Sequence, residues 1–284
     1  MPTVGVVILT MGDREKELQA LLKSVAAQEG APATVVVLGQ GVSLMDLRDG
    51  VAAVELPENL GIPGGRNAGV QWLREHGGVD VVLILDDDGL LPQTDTLRLV
   101  REAFTANPRL GVAGFRIADE AGTSQRRHVP RLAGSGPVTT FLGGAHAIRM
   151  RVIDEVGEFP ARFFYAHEET DFAWRALDAD WQIDYRADLV LTHPRTAASR
   201  HAVYYRNTGR NRVWLAKRNL PAVLVPVYLA SWAAYTLVQR PPLSGLKSWW
   251  AGFFEGVRTA CPPRHPMRWR TVWRMTRLGR PPVI

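Results

Sequence analysis

The sequence predicts an α/β protein with a doubly wound, mainly parallel β-sheet. Short apolar runs recur through the first 117 residues, helical segments separate them, and polar or glycine-rich stretches follow several of their ends. Strands that alternate with helices of this length are typical of parallel sheets. The 284 residues, 46% apolar and 22% charged, suffice for one large globular domain and an appendage.

Five apolar runs supply the predicted strands, at residues 4–10, 34–39, 51–57, 79–85 and 110–117. Uninterrupted apolar runs of this length are typical of strands buried on both faces. Helices are predicted at residues 14–28, 64–77 and 94–108. The first of them places Leu18, Leu21, Leu22 and Val25 at helical spacing. Ligands of such sheets bind beyond the carboxyl ends of the strands, where we expect the functional site.

The pattern loosens after residue 117. A loop rich in Gly, Ser, Pro and Arg is predicted at 118–138, followed by a strand at 138–149, a helix at 169–179 and a strand at 181–193. We expect this mixed portion to pack onto the same sheet. We therefore predict one domain over residues 1–200 and a helical extension over 201–284.

The extension has the composition of a membrane-associating segment. Residues 220–239 carry no charge and meet the length criterion for a spanning helix, although Pro221 and Pro226 would break or kink its start. Residues 245–258 combine paired tryptophans with basic residues, as interfacial anchors do. We expect contact with the membrane surface rather than a span. The alternatives are helices packed on the first domain, or a dimer interface.

The charge is distributed unevenly. Residues 240–284 contain nine Lys or Arg against one acid, Glu255, a local charge of +8, so the first 239 residues sum to −2 of the total +6. A basic tail of this kind favours an anionic surface. Nucleic acid is not the expected partner, because the tryptophans sit among apolar residues rather than along a polar groove.

The N-terminal sequence and the cysteine content bear on where the protein is located and on which kinds of site it can contain. The first 15 residues show no basic region before the apolar run and no small-residue cleavage site, so we expect a cytoplasmic protein at the inner face of the cell membrane. The single cysteine, Cys261, excludes an internal disulfide framework and a cysteine-rich zinc site.

Three consecutive aspartates, Asp86, Asp87 and Asp88, follow the strand at 79–85. Adjacent carboxylates raise each other's pKa unless a cation neutralises them. At alternate positions of an extended segment, Asp86 and Asp88 point the same way, and hard oxygen ligands suit Mg²⁺ or Mn²⁺. The sequence thus predicts a divalent metal that holds a diphosphate. The alternative is an acidic turn that caps the helix beginning near Thr94.

Two further stretches are candidates for nucleotide binding. After the first strand, Thr10, Asp13 and Arg14 could contact a base or phosphate, although Asp13 is also a natural helix N-cap. The stretch around Gly64, Gly65, Arg66 and Asn67 contains neither a Walker motif nor a correctly spaced G-x-G-x-x-G. Its glycines allow close approach of a ligand, and Arg66 and Asn67 offer donors at a helix start. The alternative is a tight strand-to-helix turn.

A second acidic cluster, Glu168 and Glu169, opens the helix predicted near residue 169. Acids in a first turn commonly only stabilise the helix dipole. The aromatic residues just before them would desolvate a carboxylate and raise its pKa, as a general base requires. His193 follows the last strand and could be a neutral imidazole ligand of the same metal, although a lone histidine is more often structural.

Together these motifs resemble glycosyltransferase family 2, whose members have the GT-A fold, invert the anomeric centre and use nucleotide-sugar donors. The resemblance spans about residues 4–195 and is carried by "VVILTMGDRE", "ENLGIPGGRNAGV", "LILDDDGLL", "FLGGAHAIRMRVIDEVGEFPARFFYAHEETDFAWRAL" and "VLTHP". The form of these motifs is similar to that of bacterial rhamnosyl- and galactofuranosyltransferases of cell-envelope glycan assembly.

The resemblance implies roles for individual residues. Asp86 would contact the nucleotide or metal, and Asp88 and His193 would bind the metal. Glu169 best matches the catalytic base, and Glu168 would bind the acceptor. The alternative is that Glu168 is the base. The segment of Gly143 and Gly144 would close over the donor sugar and acceptor, and Asp171 would support the helix. Asp87 is also a candidate for nucleotide-sugar binding, but on a strand it would point the other way from Asp86 and Asp88, so we expect it to tolerate replacement best.

The implied reaction is a single displacement in which Glu169 deprotonates the acceptor hydroxyl and a metal stabilises the departing nucleoside diphosphate. The acceptor could be a glycan, a glycolipid or a small molecule. A sugar nucleotidyltransferase is the enzymatic alternative, but only one glycine, Gly12, follows the first strand. A non-catalytic, membrane-associated scaffold is the other alternative. The "TMGDR" stretch departs from the commoner motif of the family, so the resemblance does not identify the nucleotide base of the donor.

Overall fold

The computed structural model describes residues 1–30, 32, 34–44, 47–124, 128–130, 134–194 and 202–283. The predicted boundary between residues 200 and 201 lies outside these ranges. The division into two domains at that boundary therefore stays a prediction.

A single sheet of eight strands forms the centre of the protein. The strands are β1 Val4–Thr10, β2 Thr34–Gln40, β3 Val51–Leu56, β4 Val81–Asp86, β5 Leu110–Ala118, β6 Gly136–Pro137, β7 Ala145–Arg149 and β8 Gln182–Thr192. Their order is β3-β2-β1-β4-β7-β5-β8-β6. The first four strands in this order are parallel, β7 runs antiparallel between β4 and β5, and β8 is parallel to β5. The predicted mainly parallel α/β sheet is confirmed.

Helices cover both faces of the sheet and continue into the extension. They are α1 Glu15–Ala26, α2 Gly61–His76, α3 Thr96–Ala106, α4 Met150–Val156, α5 Glu168–Asp178, α6 Ala202–Asn219, α7 Leu224–Val238, α8 Leu243–Arg258 and α9 Trp269–Arg277, with a 3₁₀ turn at Ala161–Phe163. The helical extension is confirmed.

The sheet separates two hydrophobic cores. Alternate residues of β1 point to opposite faces, so Val7 joins the core that includes α2, whereas Val6 joins the core that includes α1 and α3. The four predicted residues of α1, Leu18, Leu21, Leu22 and Val25, are all buried. Because both faces of the central strands are covered, their sequences are apolar without alternation.

Two predicted elements differ from the structure. The strand predicted at 138–149 is confirmed only over Ala145–Arg149, and residues 138–144 form the loop that leads from the edge strand β6 to β7. Helix α2 starts at Gly61, three residues before the predicted start. Gly61 has φ +72°, and a Cβ there would collide with Phe164, so a glycine is required at this turn.

The extension packs on the rest of the protein through α6, whose Trp214, Leu215 and Ala216 belong to the α2-side core. Helix α8 packs closely on α6, since a Cβ at Gly252 would overlap the carbonyl of Arg206. Trp249, one of the paired tryptophans expected in an anchor, is only 2% exposed. That part of the anchor prediction is therefore wrong: small residues let the two helices approach until Trp249 is enclosed.

Helix α7 occupies 15 residues of the uncharged stretch and begins after Pro221, with Pro226 in its first turn. Across the residues that the structure describes, every helix is too short or too polar to serve as a transmembrane span.

Candidate active site

Two acidic clusters meet beyond the carboxyl end of β4. The first, called the metal cluster below, consists of Asp86, Asp88 and His193. The second is the pair Glu168 and Glu169 at the start of α5, called the glutamate pair. A short loop with Gly143 and Gly144 runs between them.

Backbone pairing brings the distant His193 to the aspartates. Asp86 ends β4, and the turn after it closes with a hydrogen bond of 3.1 Å from the amide of Gly89 to the carbonyl of Asp86. Leu90 then pairs with Thr192 at the end of β8, through hydrogen bonds of 2.8 and 2.9 Å. His193, the next residue, consequently lies beside the aspartate turn.

The metal cluster offers two carboxylate oxygens and one imidazole nitrogen within 4.8 Å of one another. His193 Nε2 lies 2.9 Å from Asp88 Oδ1 and 3.8 Å from Asp86 Oδ2. Its Nδ1 lies 2.7 Å from the carbonyl of Pro194, which fixes the ring so that Nε2 faces the carboxylates. This donor set fits Mn²⁺ or Mg²⁺ with positions left for substrate oxygens. The expected set Asp86, Asp88 and His193 is thus brought together.

The electrostatics of the metal cluster favour a positive charge. Hydrogen bonds to Asp86 and Asp88 outweigh burial and raise the pKa of His193 to about 10. Burial acts to raise the pKa of Asp88, but the hydrogen bond and charge of His193, with Arg14, outweigh it and lower that pKa. A bound divalent cation would take the place of the proton on His193.

Asp87 does not point away from the other aspartates by strand alternation, as the sequence predicts. It is buried, its carboxylate lies 3.4 Å from Arg14 Nη1, and burial raises its pKa to about 6 against a hydrogen bond with Thr10 and the charge of Arg14. Residues 87 and 88 lie in a turn rather than a strand, so strand alternation does not set their directions. Asp87 instead ties the end of β1 to the end of β4.

The loop after β1 contributes Thr10 and Arg14 to the same edge. Thr10 Oγ1 accepts a hydrogen bond of 3.1 Å from the amide of Gly12, and Arg14 Nη1 lies 2.5 Å from Asp88 Oδ2. Asp13 is exposed at the mouth of the site. The alternative in which Asp13 caps α1 is not supported, because Arg14 occupies the N-cap without a side-chain capping bond.

The glutamate pair shares one buried cation, Arg66. Arg66 Nη1 donates to Glu169 Oε1 at 2.9 Å and lies 3.4 Å from Glu168 Oε1, while Nη2 donates to the carbonyl of Gly143 at 3.0 Å. Arg66 is 2% exposed. Its guanidinium therefore bonds the glutamates and the Gly143 carbonyl, and the predicted role of Arg66 as a donor to a ligand stays a prediction.

The two glutamates occupy different environments. The Glu168 side chain is 2% exposed and that of Glu169 is 15% exposed. Burial, followed by repulsion from Glu169, raises the pKa of Glu168 well above its ordinary value, and Arg66 offsets this only in part. Burial thus favours the neutral form of Glu168, and Glu169 is the more exposed of the two carboxyl groups.

Gly143 and Gly144 lie between the clusters, and at Gly143 there is no room for a side chain. A Cβ at Gly143 would collide with Glu169 Oε1 and Arg66 Nη2, and one at Gly144 would lie 3.4 Å from Asp86 Oδ2. The carbonyl of Gly144 accepts a hydrogen bond of 3.0 Å from the amide of Asp86. This loop therefore sets the spacing between the metal cluster and the glutamate pair.

The other predicted residues of α2 are engaged within the protein. A Cβ at Gly64 would lie 2.7 Å from Leu60, and one at Gly65 would lie 3.0 Å from Gln40 and Leu9, so both glycines allow close helix packing. The Asn67 amide donates to the carbonyl of Phe159 at 2.8 Å and accepts from its amide at 3.0 Å. Gly64, Gly65 and Asn67 thus have structural contacts within the protein, and their predicted role in binding a nucleotide sugar stays a prediction.

Asp171 supports the structure, as the sequence predicts. It is fully buried, with Arg175 Nε at 2.9 Å, Arg218 Nε at 2.9 Å and Asn219 Nδ2 at 2.7 Å from its oxygens. The sequence reasoning missed Asn211 in α6, which contacts the loop before the glutamate pair. No local pattern indicates it, since only its burial distinguishes it from other polar helix residues.

Comparison with known families decides the class of protein. The sequence model of "Glycosyl transferase family 2" matches residues 6–170, more than half of the chain. The chain belongs to glycosyltransferase family 2. A search of curated protein sequences found no match to it.

Solved glycosyltransferases share the fold. Staphylococcus aureus TarS superposes with a TM-score of 0.61 at 17% identity, covering 90% of this chain and 49% of TarS. TarS 1–349 in complex with UDP-GlcNAc gives 0.65 at 16% identity, covering 90% of this chain and 81% of that one. GalNAc-T7 with UDP, GalNAc and Mn²⁺ gives 0.64 at 13% identity, covering 92% and 55%. This family 2 glycosyltransferase thus has a GT-A-like fold and spans about half the length of full TarS.

The neutral Glu168 predicts a pH dependence of stability for this glycosyltransferase. Its raised native pKa means that the native state keeps a proton that the unfolded state loses above about pH 4.3, so stability decreases as pH rises from there toward the native pKa. The Glu168→Gln variant keeps a neutral side chain at all pH values. We expect urea unfolding between pH 5 and 8 to show a downward slope, up to about 1.4 kcal/mol per pH unit, that shrinks in the variant. Identical slopes would show that Glu168 is ionised in the native state.

Proposed function

We propose that this glycosyltransferase moves a sugar from a nucleoside-diphosphate sugar to a hydroxyl acceptor, with inversion and with Mn²⁺ or Mg²⁺. The observation that carries the proposal is the placement of the metal cluster and the glutamate pair on either side of the Gly143–Gly144 loop. The metal cluster suits a diphosphate, and the glutamate pair can supply a proton acceptor.

Asp86, Asp88 and His193 would hold the cation, with Arg14 beside them. A cation there would neutralise the negative charge that develops on the leaving nucleoside diphosphate. Arg14 is half-exposed and already contacts Asp88, so it can turn toward a phosphate when the cation takes over the carboxylate.

Glu169 is the proposed base. It is the more exposed glutamate, and the bond from Arg66 orients its carboxylate. A proton from the acceptor hydroxyl would pass to Glu169 as the oxygen attacks the anomeric carbon. A single displacement of this kind, in which the acceptor oxygen attacks from the side opposite the leaving group, inverts the anomeric centre.

Uridine diphosphate is the first donor nucleotide to test. Structures of TarS 1–349 are described in complex with UDP and with UDP-GlcNAc, and GalNAc-T7 is described with UDP and Mn²⁺. These proteins resemble this chain in fold, and the supporting feature in this chain is the metal cluster, whose donor set suits a cation that holds a diphosphate.

Two isosteric variants test which glutamate is the base. Glu169→Gln removes the proton acceptor, and we expect turnover to fall at least about 100-fold. Glu168→Gln mimics the neutral acid already present and should cost less than about tenfold. The measurement is sugar transfer or donor hydrolysis with a panel of nucleotide sugars and Mn²⁺. The reverse order of losses would make Glu168 the base, and no turnover in the wild type would favour a non-catalytic scaffold.

Metal-dependent binding can be measured without an acceptor. In calorimetry with UDP and Mn²⁺, we expect Asp88→Ala to weaken UDP binding at least about tenfold, because it removes a ligand from the cation. Asp80→Ala is the matched control, since Asp80 lies at the other end of β4 and bonds Thr3. Equal UDP affinity of the wild type with Mn²⁺ and with a chelator would contradict the metal proposal.

We further propose that the protein works at the cytoplasmic membrane surface, on a glycan or glycolipid acceptor of the cell envelope. Exposed residues on one side of α7 recur at helical spacing and are apolar: Val223, Val227, Ala230, Ala234 and Val238. On α9, Trp269 is 50% exposed and Trp273 is 60% exposed, one turn apart. Residues 240–284, which follow α7 and contain α9, have a local charge of +8. Apolar helix faces beside this positive charge suit the interface of an anionic bilayer.

Vesicle flotation tests this surface. We expect the wild type to float with vesicles rich in phosphatidylglycerol, less so at high salt, and poorly with phosphatidylcholine alone. The double variant Trp269→Ser/Trp273→Ser should bind at least about tenfold more weakly, because each exposed tryptophan loses its burial in the interface. Its circular dichroism should match the wild type. Equal flotation of variant and wild type would exclude α9 as the contact.

A further inference from the structure

The loop before the glutamate pair has an unusual backbone. Phe164, Ala166 and His167 all have positive φ values, of 61°, 73° and 72°. Residues with a side chain rarely adopt this region, and such conformations persist only where surrounding contacts impose them. Since His167 is the N-cap of α5, the conformation of this loop sets where Glu168 and Glu169 begin.

One side chain from the extension contacts most of this loop. Asn211, fully buried in α6, places Nδ2 at 2.9 Å from the carbonyl of Phe163 and 2.8 Å from those of Tyr165 and Ala166. Its neighbour Arg210 also donates to the carbonyl of Phe163, at 2.9 Å. Two N–H groups thus serve three carbonyls that the positive φ values turn inward.

The opposite side of the loop is fixed by α2. The amide of Ile62 donates to the carbonyl of Phe164 at 2.9 Å, and Gly61 leaves room for Phe164. The same helix carries Arg66, which bonds Glu169. Asn211 therefore fixes the backbone of the segment whose side chains Arg66 orients.

Helix α6 is itself held rigidly. Lys217 Nζ donates to the carbonyls of Gly256 and Val257 in α8, at 2.8 and 2.7 Å. Near its end, Asn219 bonds Asp171 of α5 at 2.7 Å. A donor placed on α6 consequently has a fixed position relative to α5.

We propose that Asn211 is a positioning residue for sugar transfer. It holds the 163–167 loop so that Glu169 points into the cleft and Glu168 stays buried, which makes α6 part of the machinery that aligns the base. The inference rests on the proposed function for its kinetic consequence, but its structural part stands on the contacts alone.

Variants at Asn211 separate positioning from general stability. Asn211→Ala removes all three contacts, and Asn211→Asp keeps the shape but sets a carboxylate against three carbonyls. Lys217→Met is the matched control. Lys217 lies in α6 like Asn211, and its replacement removes two hydrogen bonds to carbonyls of α8 but no contact with the 163–167 loop. Asn211→Ser retains one donor and serves if Asn211→Ala does not fold.

Two readouts decide the outcome. Hydrogen–deuterium exchange should rise in peptides covering 160–170 for the Asn211 variants, and only in α6 and α8 peptides for Lys217→Met. With a nucleotide sugar that the wild type turns over, we expect kcat to fall about 10- to 100-fold in Asn211→Ala, with the donor KM and the Mn²⁺-dependent UDP affinity within about twofold of wild type.

Unchanged exchange at 160–170 in Asn211→Ala would overturn the proposal, as would equal losses of kcat in Asn211→Ala and Lys217→Met. If the wild type turns over no nucleotide sugar, the proposed function fails. In that case the exchange experiment still decides whether Asn211 holds the loop.

Discussion

Arg66 is a cation buried within the protein, with two carboxylates and a carbonyl arranged around its guanidinium. Moving such a charge out of water is costly unless its partners are placed well, and removal of one partner leaves the others uncompensated. The two carboxylates come from α5 and the carbonyl from the 143–144 loop, whereas the arginine itself lies in α2. The close packing of α2, through Gly65 and Gly69 against β1, is therefore also a condition for the electrostatics of the glutamate pair.

The two acidic clusters balance their charge in different ways. The glutamate pair has a permanent counter-charge in Arg66, together with a proton kept on Glu168 by burial. The metal cluster has an exchangeable counter-charge. Asp86 and Asp88 hold the proton on His193, and a divalent ion can replace that proton. A fixed cation suits a base that must keep one orientation. An exchangeable one suits a site that must accept and release a charged nucleotide.

The sequence predicts the sheet well, because strands buried on both faces leave long apolar runs that local reasoning can detect. It also predicts Asp86, Asp88 and His193, since the motif order carries this set. Prediction from the sequence fails where contacts between distant residues determine the direction in which a side chain points. Asp87 lies in a turn, and its side chain is directed by contacts with Arg14 and Thr10. Gly64 and Gly65 allow close packing, and Trp249 is enclosed by α6. Spacing alone contains no information about these partners.

The loop before α5 shows why the remainder of the site could not be derived from its own residues. Nothing in "FFYAH" favours three positive φ values, and each such residue costs of the order of 1–3 kcal/mol in the absence of supporting contacts. The compensation comes from Asn211, more than 40 residues later, and from Gly61, about 100 residues earlier. The position of the proposed base is thus a property of two distant helices. A change in the packing of α6 would reach Glu169 without any change in the residues that contact substrate.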